Sequence, residues 1–205
     1  LLKLLLRLSL LFLVQLVFSQ HSSKMNVRVN LAEKTLLIKH VLTYNNSLND
    51  TINHIILNDW NNAFSSKNSA LAKRFSDEFS RSFHLSNEKD RGKTTINSIV
   101  DENFKNVNWE RPNDIVDLVK IKMNEPILPF TKETITLFYS IKIPNAKFTR
   151  FGFYEDNKLV LKHWFLAPSR YENKQFLMYS NENLDDISNA FSDYEIILEN
   201  IDDLV

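Results

Sequence analysis

The segment Thr134 to Ile143, TITLFYSIKI, places Ile135, Leu137, Tyr139, Ile141 and Ile143 at every second position. A strand sends successive side chains to opposite faces, so this period gathers all five on one face, whereas a helix would scatter them. The same period recurs in Met25 to Leu31 through Val27, Val29 and Leu31. It returns in Thr35 to Tyr44, where Leu36, Ile38, His40, Leu42 and Tyr44 share a face. Strands with one apolar face must pair along their edges and bury that face against a second layer. That requirement points to a layered β fold.

Short turns separate the strands. Ala32 to Lys34 joins the first two into a hairpin, and the polar NNSLND, Asn45 to Asp50, leads to Thr51 to Asn58, so a three-strand meander is expected. Between Ser69 and Phe83 the period changes: Leu71, Phe75, Phe79 and Phe83 recur every four residues, which predicts an amphipathic helix capped by Asn68 or Ser69. Strand character resumes in TTINSIV and in Asp114 to Met123. Pro126 and Pro129 should then break the ladder. After the TITLFYSIKI strand, Phe148 to Tyr154 and Leu159 to Phe165 read as strands around the turn EDNK, and Asp193 to Asn200 as the last. Eight or more strands with one inserted helix, and no linker or repeat, make residues 20–205 one mainly β, β-sandwich-like domain.

Composition narrows the function classes. With 25 basic and 25 acidic residues there is no net field to draw nucleic acid or an anionic membrane. Cysteine is absent, which removes disulfides, thiolate nucleophiles and cysteine-bound metals. Two glycines, Gly92 and Gly152, are too few for a phosphate-cradling loop. The N-terminus has Lys3 and Arg7, an apolar run from Leu8 to Phe18, and then small polar residues. That is signal-peptide order, expected as a helix over residues 1–19 with cleavage near Ser19 or Gln20. The apolar run falls short of the roughly 20 residues of a spanning helix, although an uncleaved anchor is the competing reading. Membrane contact is thus expected only through this segment, and the chain is expected to be exported.

No catalytic constellation emerges from the residues. The five histidines, His21, His40, His54, His84 and His163, never form HExxH, and no GxSxG elbow exists. His84 and Glu88 would share a helical face only if the helix passed Phe83, and His40 and His54 could meet across a hairpin without a carboxylate partner. The pairs Asp101/Glu102 and Asp185/Asp186 are adjacent, so on a strand they would point apart. In LVLKHWFLAPSRYEN, Leu159 to Asn173, His163 and Trp164 stand beside Phe165 at a strand end, where Trp164 or Phe165 could fill the core and Pro168 end the ladder.

The order of these segments resembles the N-terminal β domain of aminopeptidase N-like zinc metallopeptidases of the gluzincin (HExxH) type, particularly their exported bacterial branch. Val27 to Phe64, ending in DWNNAF, is similar to the family's opening strands. Phe151, Gly152, Trp164, Phe165, Pro168 and Tyr171 match its later pattern of a phenylalanine-glycine pair, a tryptophan and a tyrosine, and Ser192 to Leu198 matches its closing strand. The resemblance implies a saddle-shaped domain packed against a catalytic domain C-terminal to Val205. The HExxH zinc ligands and the amine-binding GxMEN motif would lie there. It implies no catalytic residue, metal ligand or cofactor in this chain, with zinc held by the missing catalytic domain. It implies substrate contact at most for His163 and Trp164, on the rim of a peptide cleft. His163 stands where the family often has a glutamine, and Leu166 replaces a family proline. The expected partners are that intramolecular domain and the parent's peptide substrate, with no nucleic acid. The expected location is the periplasm, the outer membrane or the exterior of a bacterium. A self-contained secreted β-sandwich for binding or adhesion is the alternative.

Overall fold

A computed structural model describes residues 21–112, 115–155, 158–180, 182 and 188–200. The expected signal helix over residues 1–19 and the Asp185/Asp186 pair lie outside the described residues. The architecture is mainly β, with two principal sheets.

The larger sheet contains β1 (His21–Asn30), β2 (Thr35–Asn45), β4 (Lys93–Asp101), β7 (Lys132–Lys142) and β13 (Ser192–Glu199), in the spatial order β13-β1-β2-β7-β4. β1 and β2 form the expected hairpin, with Val27 opposite Ile38. β7 lies antiparallel to both β2 and β4, whereas β13 runs parallel to β1 at the edge. The alternation noted in the sequence sets one face: Met25, Val27, Leu36, Ile38, Leu42, Ile135, Leu137, Tyr139 and Ile141 are all buried in the core.

β3 (Ile52–Asn58) does not complete a meander. Its partners are β6 (Leu118–Ile127) and the short β10 (Ala167–Pro168), and β5 (Asn108–Glu110) completes this second sheet in the order β10-β3-β6-β5. The physical reason is the residue sequence itself: Ile55, Ile56 and Leu57 are consecutive apolar residues, and all are fully buried. A strand with both faces apolar suits a covered central position better than the one-sided larger sheet. β6 also runs through Pro126, contrary to the expected break. Between the pairs His54–Lys122 and Ile52–Ile127 the register slips, so Pro126 lies where the ladder is already interrupted and its missing N–H removes no regular bond.

The helix α1 (Ala70–Asp77) is shorter than its apolar period. Ser69 caps it by accepting from the Ala72 N–H at 3.2 Å. At the other end the Phe79 N–H bonds the Ser76 carbonyl and the Ser80 N–H bonds that of Phe75, a Schellman closure with Phe79 left-handed at φ 58°. Phe79 therefore turns out to solvent. Phe83 returns to the core from beyond the helix, against Phe75 and Phe148.

The DWNNAF segment connects the sheets to this helix. Trp60–Phe64 forms a fully buried 3₁₀ turn, and Trp60 and Phe64 pack on Phe151 at ring distances of 4.7 and 5.7 Å. Its polar side chains bond backbone: the Asn62 amide donates to the Val116 carbonyl and accepts from the Thr94 N–H, and Asn61 reaches the Lys142 carbonyl. Asp59, nearly inaccessible, accepts from Arg111 at 2.7 Å and from the Thr94 hydroxyl at 2.6 Å. Burial pushes the Asp59 carboxyl up, while Arg111 and the Thr94 hydroxyl pull it back toward the charged form.

Candidate functional site

The expected strands Phe148–Tyr154 and Leu159–Phe165 contract to β8 (Gly152–Phe153) and β9 (Leu159–Val160), which pair with each other. The chain then bends rather than staying extended, because His163 adopts φ 50°, a left-handed value that strand geometry excludes. Trp164 and Phe165 are consequently not alternate residues of a ladder. Trp164 is buried, and its ring meets that of Phe165 edge-on at 5.2 Å. Phe165 in turn lies 5.0 Å from Tyr194 of β13. The Leu166 N–H donates to the Tyr139 hydroxyl at 3.4 Å, fixing this bend on the inner face of the larger sheet.

Pro168 ends a ladder, but it is that of the short β10 and not of a strand running from Leu159 to Phe165. β10 pairs Ala167 with Asn58 and Pro168 with Leu57, and the Pro168 carbonyl accepts from the Ala190 N–H at 2.8 Å. β11 (Tyr171–Glu172) and β12 (Gln175–Phe176) come next as a hairpin whose turn residues Asn173 and Lys174 both have positive φ, the twist a two-residue hairpin requires.

These elements build an aromatic ledge. On β13, Tyr194 sits beside Ser23, Ile196 beside Met25 and Leu198 beside Val27, so all three share the core-facing side of the sheet. Yet they are 40%, 39% and 44% exposed, whereas Met25 and Val27 are buried. The second layer stops short of this edge strand. The ledge thus runs from half-buried His163, through Trp164 and Phe165, to the uncovered row Tyr194, Ile196 and Leu198. The opposite side of β13 carries Glu195 and Glu199, which pair with Lys24 and Arg28, with half-exposed Ile197 between them.

The remaining histidines are placed apart from it. His40 and His54 lie on strands of different sheets and do not face each other across a hairpin. His54 packs on Phe176 at 5.5 Å. His40 is fully buried beside Tyr139, and burial lowers its imidazole to about 3. His21 stacks on Tyr44 at 4.1 Å and is lowered by burial to about 4. His84 bonds Ser76 and the Ala72 carbonyl, since the helix that would have aligned it with Glu88 has already ended. Asp101 ends β4, and its carboxylate is held below the ordinary range by bonds from Asn124 and the Lys105 N–H. Among the described residues no three histidine, aspartate or glutamate side chains come together to hold a metal, so a zinc ion does not fit them. The ledge offers shape and apolar surface, with the His163 imidazole at one end of it.

Sequence reading singled out His163 and Trp164 but missed their continuation into Tyr194 and Ile196. The signal was present in the alternation of DYEIILEN. Its uncovered state depends on where the second layer ends.

No protein-family model and no curated protein matches this chain. Among solved structures, the chain is similar to the crystal structure of an M1 zinc metallopeptidase from Deinococcus radiodurans, with 12% identity and a TM-score of 0.37 over 61% of this chain and 21% of that one. It is also similar to native yeast LTA4 hydrolase, with 7% identity and a TM-score of 0.31 over 59% of this chain and 14% of that one. The chain spans about a fifth of the length of the metallopeptidase it matches. A likeness of this size carries no argument about activity.

Proposed function

We propose that this chain is the non-catalytic N-terminal β domain of an exported, aminopeptidase N-like zinc metallopeptidase, and that the ledge packs against the catalytic domain. The observation that carries the reading is the row Tyr194, Ile196 and Leu198: core-facing by register, continuous with Phe165, and about two-fifths exposed. Apolar surface on the inner side of a sheet is a surface made to be covered. The sequence resemblance names the occupant, because the family's catalytic domain comes directly after the strand that corresponds to β13. His163 and Trp164 stand at the end of the ledge, where they would border the joint between the two domains and touch a bound peptide. Zinc, the water it activates and the glutamate base would all belong to that second domain.

The coding sequence downstream of Val205 tests this directly. An HExxH motif with a distant glutamate beyond it is expected, and a stop codon within a few residues would instead favour a self-contained secreted binding module. Residues 20–205 expressed alone should bind no stoichiometric zinc and release no amino acid from peptides. Either activity in that fragment would overturn the assignment of catalysis to the second domain.

A further inference from the structure

One end of the larger sheet is apolar beyond its last pairs. The register sets Ser192 beside His21, His21 beside Tyr44, Tyr44 beside Glu133 and Asp101 beside Ile135, so these residues mark a common end. Just past it are Phe104 in the β4–β5 turn, Leu128 and Phe130 in the β6–β7 turn, and Phe191 before β13. Their exposures are 85%, 56%, 70% and 83%. Large apolar side chains gathered at one end of a domain mark an interaction surface. Two of them occupy turn positions where a side chain is costly: Phe104 has φ 59° and Phe130 φ 58°, and the Leu128–Thr131 turn has proline second and the left-handed residue third, the place glycine ordinarily takes.

The covalent chain indicates what this end meets. β1 begins here at His21, so the apolar tract Leu8 to Phe18 reaches the domain at this end, before any cleavage and permanently if it stays as the uncleaved anchor. Nearby charges are Lys105 and Lys132 against Asp101, Glu102, Glu133 and Asp193, a slight acidic excess, so no basic field selects anionic lipid or nucleic acid. We propose that the end bearing Phe104, Leu128, Phe130 and Phe191 rests on a lipid bilayer, its side chains entering the interfacial zone by apolar insertion rather than charge. This does not depend on the peptidase reading, which concerns the ledge.

The absence of cysteine makes the test direct, because a single introduced thiol is the sole labelling site. The full chain carrying Phe104→Cys, Phe130→Cys or Phe79→Cys is labelled with an environment-sensitive NBD group and mixed with phosphatidylcholine vesicles. Phe79 is 91% exposed and closes α1, which follows the Trp60–Phe64 turn that Asn61 bonds to Thr94 and Lys142 at the other end of the sheet, so it shares any tethering by the N-terminal tract without belonging to the surface. Labels at 104 and 130 should shift to the blue and brighten about twofold, with no response at 79 and no gain on adding phosphatidylglycerol. Equal responses at both ends, no response at 104 and 130, or dependence on phosphatidylglycerol would overturn the proposal. Brightening with protein concentration in the absence of vesicles would replace the bilayer with a second copy. A label at Phe191→Cys should lose most of its response in the Phe104→Gly/Phe130→Gly background, which keeps both turns; an undiminished response there would also overturn it.

Discussion

His40 occupies an inward position of β2 where neighbouring inward residues are Ile38 and Leu42. Its Nδ1 lies 3.5 Å from the Tyr139 hydroxyl, and its Nε2 finds no protein partner. Burial holds the imidazole neutral, lowered to about 3 from an ordinary 6.5. Because the unfolded chain takes up this proton more readily, stability from His40 is fully present above pH 6.5 and is lost as pH falls toward 3. Between pH 7 and pH 4 the loss should be on the order of 3 kcal/mol from this residue alone. Chemical denaturation of His40→Leu at the two pH values should show a clearly shallower acid loss than wild type; an equal loss would place the acid sensitivity elsewhere. Gly152 is constrained differently. With φ 137°, a Cβ there would stand 2.4 Å from the Pro144 carbonyl oxygen and 2.8 Å from the Ala146 nitrogen, both backbone atoms. Gly152→Ala should therefore cost on the order of 3 kcal/mol, read as a lowered denaturant midpoint. Gly92, whose nearest neighbours are at 3.0 to 3.2 Å, should lose less on the same substitution.

The elements show what alternation and period can and cannot convey. Ser69 as helix cap and the β1–β2 hairpin were legible, since caps and short turns are local chemistry. The stop of α1 was not: the four-residue apolar period runs on through Phe79 and Phe83, and no glycine announces the left-handed closing residue. Phe79 holds that strained position with nothing gained in burial. Phe79→Gly should relieve about 1 to 2 kcal/mol of backbone strain and lose about 0.5 to 1 kcal/mol to the freer unfolded chain. A net gain of roughly 0.5 kcal/mol is expected, measurable as a small rise in Tm. Phe79→Ala, which keeps the left-handed cost, should not reproduce it. The same scarcity of glycine hid the bend at His163, which reads in sequence as one more strand residue. Pairing was hidden for another reason. β2 takes β7 as its neighbour and β13 lies parallel to β1, contacts between segments far apart in the chain that no local pattern encodes. Trp164 could be read as core from its type, whereas the ledge it opens depends on that parallel pairing.

At the scale of the whole molecule, β13 divides two roles that one strand usually combines. Its backbone extends the larger sheet, while its inner side chains are only partly covered by this domain, each about two-fifths exposed. A polar substitution there should consequently discriminate between stability of the domain and attachment of a second domain to it. Ile196→Lys, at a position already 39% exposed where the lysine stem can lie along the sheet, should lower the stability of residues 20–205 by only about 1 kcal/mol. If a second domain covers this face, as proposed, the same lysine in the full-length parent would be buried against an apolar surface without a partner, at a cost of several kcal/mol. Its expected signature is the separation of one thermal transition into two, with the first at the temperature of the isolated domain. Val27→Lys is the counterpart: Val27 is completely buried within the domain, so it should destabilise fragment and parent alike. If Ile196→Lys unfolded the fragment as readily as Val27→Lys does, the ledge would be part of the domain's own core and not a face awaiting a second one.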